Sequence, residues 1–189
     1  MKKARYILTA MALMASLAAP VSAAAPPPAS PQITVTQTAD SAMRWAVDSG
    51  LIPETAESSA PATHQLVAEA LYRLNGSPAE TGAHFSDLRV GADGWDAAHW
   101  AVDVGAFYMY DNGAFAPQNT LTRLELSRAL HRYALGIGCE TGAYRTCVSW
   151  ALDTGVLTFD ADGAIHTETT ASVQDFARAL ECFCAYYNK

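Results

Sequence analysis

Residues Trp100–Tyr133, WAVDVGAFYMYDNGAFAPQNTLTRLELSRALHRY, decide the fold, because they read as a helix, a turn, a loop and a second, capped helix. The sharpest part is Thr122-Arg123-Leu124-Glu125. Thr122 can cap the N–H groups of a new helix while Glu125, three residues on, bonds back to the cap. Arg123 then takes the first helical position, beside the positive end of the helix dipole. Leu126, Leu130 and Tyr133 follow at i, i+4 and i+7, the spacing of one buried helix face.

The flanking segments are weaker copies. Trp45-Ala46-Val47-Asp48-Ser49-Gly50 returns as Trp100-Ala101-Val102-Asp103-Val104-Gly105 and as Trp150-Ala151-Leu152-Asp153-Thr154-Gly155, with the tryptophans 55 and then 50 residues apart. The helical face returns as Val67, Leu71, Leu74 and as Phe176, Leu180, Phe183. A unit of this size cannot bury its apolar stripe alone, so the expected fold is mostly α, three helix-loop-helix repeats packed as one pseudo-threefold domain. Glycine ends the first helix of each unit through the left-handed cap it adopts without steric cost. Asp48, Asp103 and Asp153 lie in the last turn, where the dipole disfavours a carboxylate. Each is expected either to bond a backbone N–H of the following loop or to face a cation or polar ligand. Trp45, Trp100 and Trp150 read as core, whereas Trp95, in a loop-like stretch, is the better candidate for an exposed sugar-stacking platform.

Residues 1–23 read as a secretory signal: Lys2, Lys3 and Arg5 form a basic start, Tyr6 to Ala19 an apolar run, and Val21-Ser22-Ala23 a cleavage site. Residues 24–36, with AAPPPASP, read as a proline-rich spacer. Units at 37–79, 80–136 and 137–189 follow. The run is too short for a span, and the mature chain is expected outside the cytoplasmic membrane without a membrane span. Loss of the signal takes the formal net charge from −7 to −10. Such a balance argues against nucleic acid as a partner, because a phosphate backbone is held by clustered Lys and Arg. Any anionic ligand must be met by a few local arginines.

Cys139, Cys147, Cys182 and Cys184 suggest disulfides in an exported chain, either a local Cys139–Cys147 bridge or two bridges stapling the 139–147 loop to the last helix. Cys182 with Cys184 is the poorest pair, since helical side chains two apart face differently. The spacing does not match a zinc finger, no metal or cofactor is expected, and Asp160-Ala161-Asp162-Gly163 reads as a turn rather than a calcium loop. The five histidines form no His-x-x-x-His pair, no nucleophile elbow or phosphate loop is present, and no enzymatic activity is expected.

Phe85-Ser86-Asp87, Trp95, His99-Trp100-Ala101, Gly105, Phe115-Ala116-Pro117 and Thr122-Arg123-Leu124-Glu125, in that order and spacing, resemble the S-layer homology (SLH) repeat. The middle unit matches over its whole length and the outer two are degenerate. The resemblance implies an exported bacterial protein of the cell wall or surface, bound non-covalently to secondary cell-wall polysaccharide that often carries pyruvate ketals. It also implies that Arg123, flanked by Thr122 and Glu125 and with Leu124 in place of the family's alanine, is the main contact for the acidic sugar. A guanidinium beside unpaired helix N–H groups suits a carboxylate. The equivalent positions are His64, cationic only when protonated, and Val173. Thr63 and Ser172 keep a plausible cap, and Asp175 can stand in for Glu125 where Leu66 cannot. With Trp95 and Asp103, these residues form the candidate ligand set. The alternative is a scaffold derived from SLH repeats that serves protein–protein interaction without binding sugar.

Overall fold

A computed structural model of the chain describes residues 39–78, 84–142, 144 and 146–187. The signal (1–23), the spacer (24–36) and the boundary between residues 79 and 80 lie outside the described residues. Those described are mostly helical: α1 Ala39–Asp48, α2 His64–Leu74, α3 Trp95–Asp103, α4 Arg123–Gly136, α5 Cys147–Asp153 and α6 Val173–Tyr187. Among them no strand forms, only three isolated bridges. None of these helices is long and apolar enough to cross a membrane.

The helices pack in pairs, α2 on α3, α4 on α5, and α6 on α1. The apolar faces meet in one core. Val67, Leu71, Leu126, Leu130, Tyr133, Phe176, Leu180 and Phe183 are all buried, and Leu74 packs partly buried against them. Trp100 meets Tyr133 edge-on at 5.8 Å, and Tyr133 meets Phe183 at 5.3 Å. Trp100 and Trp150 are core, as expected, while Trp45 is half-buried against it.

The segments leading into α2, α4 and α6 close on one another. Ala62 N–H donates to Ala171 O, Ala171 N–H to Leu121 O, and Leu121 N–H to Ala62 O, at 2.8 to 3.0 Å. Around this ring His64 N–H bonds Asn119 O, Arg123 N–H bonds Thr169 O, and Val173 N–H bonds Ala60 O. A further turn in, Gln65, Leu124 and Gln174 donate to Pro117, Thr167 and Ser58. The first N–H groups of a helix have no partner within it, and here each long helix has its first two satisfied by another segment of the chain.

Gly50, Gly105 and Gly155 end α1, α3 and α5 with φ of +69°, +75° and +77°, the left-handed cap anticipated from sequence. The turns after them are tied back by arginines. Arg73 donates to Leu51 O, Arg132 to Ala106 O through two nitrogens, and Arg178 to Gly155 O. These bonds fix the turns that carry the candidate site against the helices.

Candidate functional site

The start of α4 forms as its sequence dictates. Thr122 Oγ1 accepts from Glu125 N–H at 3.2 Å, and Glu125 Oε2 accepts from Thr122 N–H at 2.8 Å, completing the capping box. Those bonds hold the Glu125 carboxyl below the usual glutamate range, the Thr122 N–H foremost. The other two units follow the residue substitutions. Ser172 and Asp175 reproduce the reciprocal pair at 3.0 and 2.9 Å, whereas Thr63 caps Leu66 N–H at 3.2 Å and Leu66 returns nothing.

Around Arg123 two sequence-based expectations change. The helix N–H groups beside it are not vacant: those of Arg123 and Leu124 are held by Thr169 O and Thr167 O, and those of Glu125 and Leu126 by the Thr122 side chain and carbonyl. An anion arriving at this helix start would find no free backbone donor in its first turn. Nor is the guanidinium solvated. Arg123 is 8% exposed, with Nη1 2.6 Å from Asp160 Oδ2 and Nη2 2.8 Å from Thr158 O. Arg123, foremost by its hydrogen bond, holds the Asp160 carboxyl below the ordinary aspartate range. The side chain thus links α4 to the turn after α5.

That turn is the one read from Asp160-Ala161-Asp162-Gly163. Asp160 N–H bonds Ala164 O, Gly163 N–H bonds Asp160 O, and Asp162 Oδ1 accepts from Ala164 N–H. Asp160, Asp162 and His166 gather with their ligand-type atoms within 4.8 Å of one another, and His166 Nε2 lies 2.8 Å from Asp162 Oδ2. Of the three, Asp160 is paired with Arg123.

His64, at the matching position on α2, sits against Phe107, Phe115 and Tyr110, with Nδ1 3.2 Å from Phe115 O. Burial lowers its pKa below the ordinary 6.5, outweighing Phe115 O and Glu125, which favour the charged form. The neutral imidazole therefore prevails near neutral pH, and the first unit lacks a standing cation. The folded chain binds fewer protons at this residue than the unfolded chain does. Its contribution to stability is present above the unfolded value of 6.5 and is lost as pH falls through that value toward the folded one. Urea midpoints measured from about pH 7 down to about pH 5 should fall, and His64→Gln should flatten the decline. His131, also lowered by burial, adds to the same trend, so replacing both histidines should flatten the decline more than His64→Gln alone. Val173, the third counterpart, is buried in the core.

Trp95 is not an exposed platform: it is 5% exposed at the start of α3, stacked on His99 at 5.4 Å. Its loop-like sequence context hid a helix start capped by Gly94 in the left-handed conformation. Asp103 lies exposed at the end of α3, with Oδ2 3.5 Å from His99 Nδ1, so its partner is a side chain of its own helix. Asp153 is exposed at the end of α5, near Tyr144 of the preceding loop. The four cysteines are free thiols in this structure. Cys139 and Cys184 both lie near Tyr133, and burial pushes the Cys184 thiol up to about 11.

Two features went unread in the sequence. Asp87 clamps the 115–116 corner, its carboxylate accepting from Phe115 N–H at 2.9 Å and Ala116 N–H at 2.7 Å, which holds Ala116 at φ +56°. The second is an exposed aromatic turn, Tyr108-Met109-Tyr110, whose signal is the pair of tyrosines before Asp111-Asn112-Gly113. No protein-family model matches this chain, and no curated protein matches it.

Proposed function

We propose that residues 37–189 are three SLH-type repeats arranged about a pseudo-threefold axis, and that the exported chain holds secondary cell-wall polysaccharide at the bacterial surface. The observation that carries this reading is the closed ring of bonds among Ala62, Leu121 and Ala171. It supports equivalence of the three helix starts, because each donates to the segment before another, in cyclic order. The motif residues Thr122, Arg123 and Glu125 stand at one of these starts, between α4 and the turn after α5. The polymer's acidic groups are the partner that a guanidinium on a chain poor in cations would select. The purified mature chain should sediment with isolated bacterial walls, and a chain left wholly in the supernatant would refute the reading.

A second reading has a specific observation in its favour. Asp160 already neutralises Arg123, and the N–H groups around the guanidinium are occupied. A repeat scaffold that uses Arg123 only as an internal strut would look the same at this point. The two readings part on Asp160→Asn, which removes the internal competitor without removing the guanidinium.

A further inference from the structure

The cations of the mature chain are few, yet three arginines, Arg123, Arg128 and Arg132, fall on α4 with Glu125 as the only acid of that helix. Arg123 is consumed internally. Arg128 is exposed one turn before Arg132, within electrostatic reach of both Arg132 and Glu125. Arg132 is fixed by its two bonds to Ala106 O and lies 4.7 Å above the centre of the Tyr108 ring. Tyr108 is 68% exposed and Tyr110 47% exposed. The turn that follows Tyr110 is held by Tyr110 N–H to Ala114 O and Gly113 N–H to Tyr110 O, and the Tyr110 ring lies parallel to His64 at 6.5 Å between centroids. Two exposed rings are therefore held in place on a braced turn, at the edge of the helix that concentrates the cations.

We infer that Tyr108, Tyr110, Arg128 and Arg132 form a further binding surface for an acidic polysaccharide, at the His64 side of α4 and in addition to the contact at Arg123. The inference rests on the wall-polymer reading and adds a second contact surface to it. Exposed aromatic faces stack against the C–H face of a sugar ring, and the fixed ring geometry lowers the ordering cost of doing so. The guanidinium of Arg128 is free to meet a carboxylate with paired N–H donors, and Arg132 adds charge from behind the Tyr108 ring. An anionic occupant is favoured at the exposed Arg128 guanidinium, backed one turn on by Arg132, because these are two of the few cations of a chain whose net charge is −7. Asp111 and Glu125 stand at the margin and would repel an anion that strays from the two arginines. A protein partner held by hydrophobic contact is less well matched, since Met109 is the only aliphatic side chain in the turn.

The test is sedimentation of the whole mature chain with bacterial walls whose secondary polymer is intact, and with the same walls after acid removal of that polymer. The double variant Tyr108→Ala/Tyr110→Ala should bind intact walls at least about tenfold more weakly than wild type. The double variant to Phe should stay within about threefold, because the ring is kept. Both should melt at the wild-type temperature, as the rings contribute little to the core. Wild-type affinity in the alanine variant, with binding lost in Arg123→Ala, would overturn this surface and leave the wall-polymer reading standing. Loss of a protein partner or of self-association in that variant, with wall binding unchanged, would also overturn it. So would equal weakness of the Phe and Ala variants, which would remove ring stacking as the cause. Equal retention of wild type on stripped walls would overturn both the surface and the reading beneath it.

Discussion

Gly136→Ala lowers the stability of the chain by about 3 kcal/mol, which for a chain of this size moves the melting temperature down by roughly 6 to 12 °C. Gly136 closes α4, and a Cβ placed there would lie 1.9 Å from the carbonyl oxygen of Val104 and 3.0 Å from its carbon. The clashing atoms are backbone, so they cannot rotate aside. The turn after α3 would have to move, and with it Gly105, Ala106 and the Arg132 bonds that brace it. Alanine's helix propensity returns at most about 1 kcal/mol, which does not offset a clash of this kind. The comparison is Gly138→Ala, two residues on. Gly138 has φ +75° with nothing near its would-be Cβ, so that change costs only the left-handed conformation, about 1 to 2 kcal/mol. Thermal and urea unfolding of the two variants side by side would decide the matter, and equal midpoints would contradict the close approach of α4 to Val104.

Arg123→Ala has the second large effect, and it separates binding from structure. Removing the side chain leaves Thr158 O and Asp160 without their donor and opens a gap between α4 and the turn after α5. Asp160 remains partly exposed to water, which limits the loss to about 2 kcal/mol. On the wall-polymer reading the same variant also loses wall binding, by more than the small unfolded fraction explains. Asp160→Asn then acts in the opposite direction. It keeps a hydrogen-bond acceptor near Arg123 while removing the internal carboxylate, so a ligand carboxylate meets less competition and wall affinity rises. On the scaffold reading both variants cost stability and neither alters retention on walls. Sedimentation assays on the pair, with melting temperatures as the control, distinguish the two.

The helical architecture was legible from periodicity and punctuation. The i, i+4, i+7 faces marked the buried sides of α2, α4 and α6, the recurrent glycines marked the ends of α1, α3 and α5, and the capping box marked the start of α4. Those signals are local, and the local physics of caps and left-handed glycines survives packing. What surrounds Arg123 was not legible, because its partners are 35 and 37 residues away and belong to another turn. Sequence placed a cation beside vacant helix N–H groups. Packing filled those groups with the carbonyls of residues 167 and 169 and supplied Asp160 as the counter-charge. Trp95 shows the same limit from the other side. Its neighbours Ala92-Asp93-Gly94 predict a loop, but Gly94 serves as a helix cap and turns the indole into the core. The tyrosine pair at 108 and 110 carries a usable signal, two aromatics leading into Asp-Asn-Gly.

If, as proposed, this chain recognises the secondary polymer of the bacterial wall, its retention on walls depends on that polymer. The most direct measurement is retention of the purified mature chain on two preparations of the same walls, one intact and one stripped of that polymer. Retention should be strong on the intact walls and nearly absent on the stripped ones. Equal retention on both would contradict the proposal.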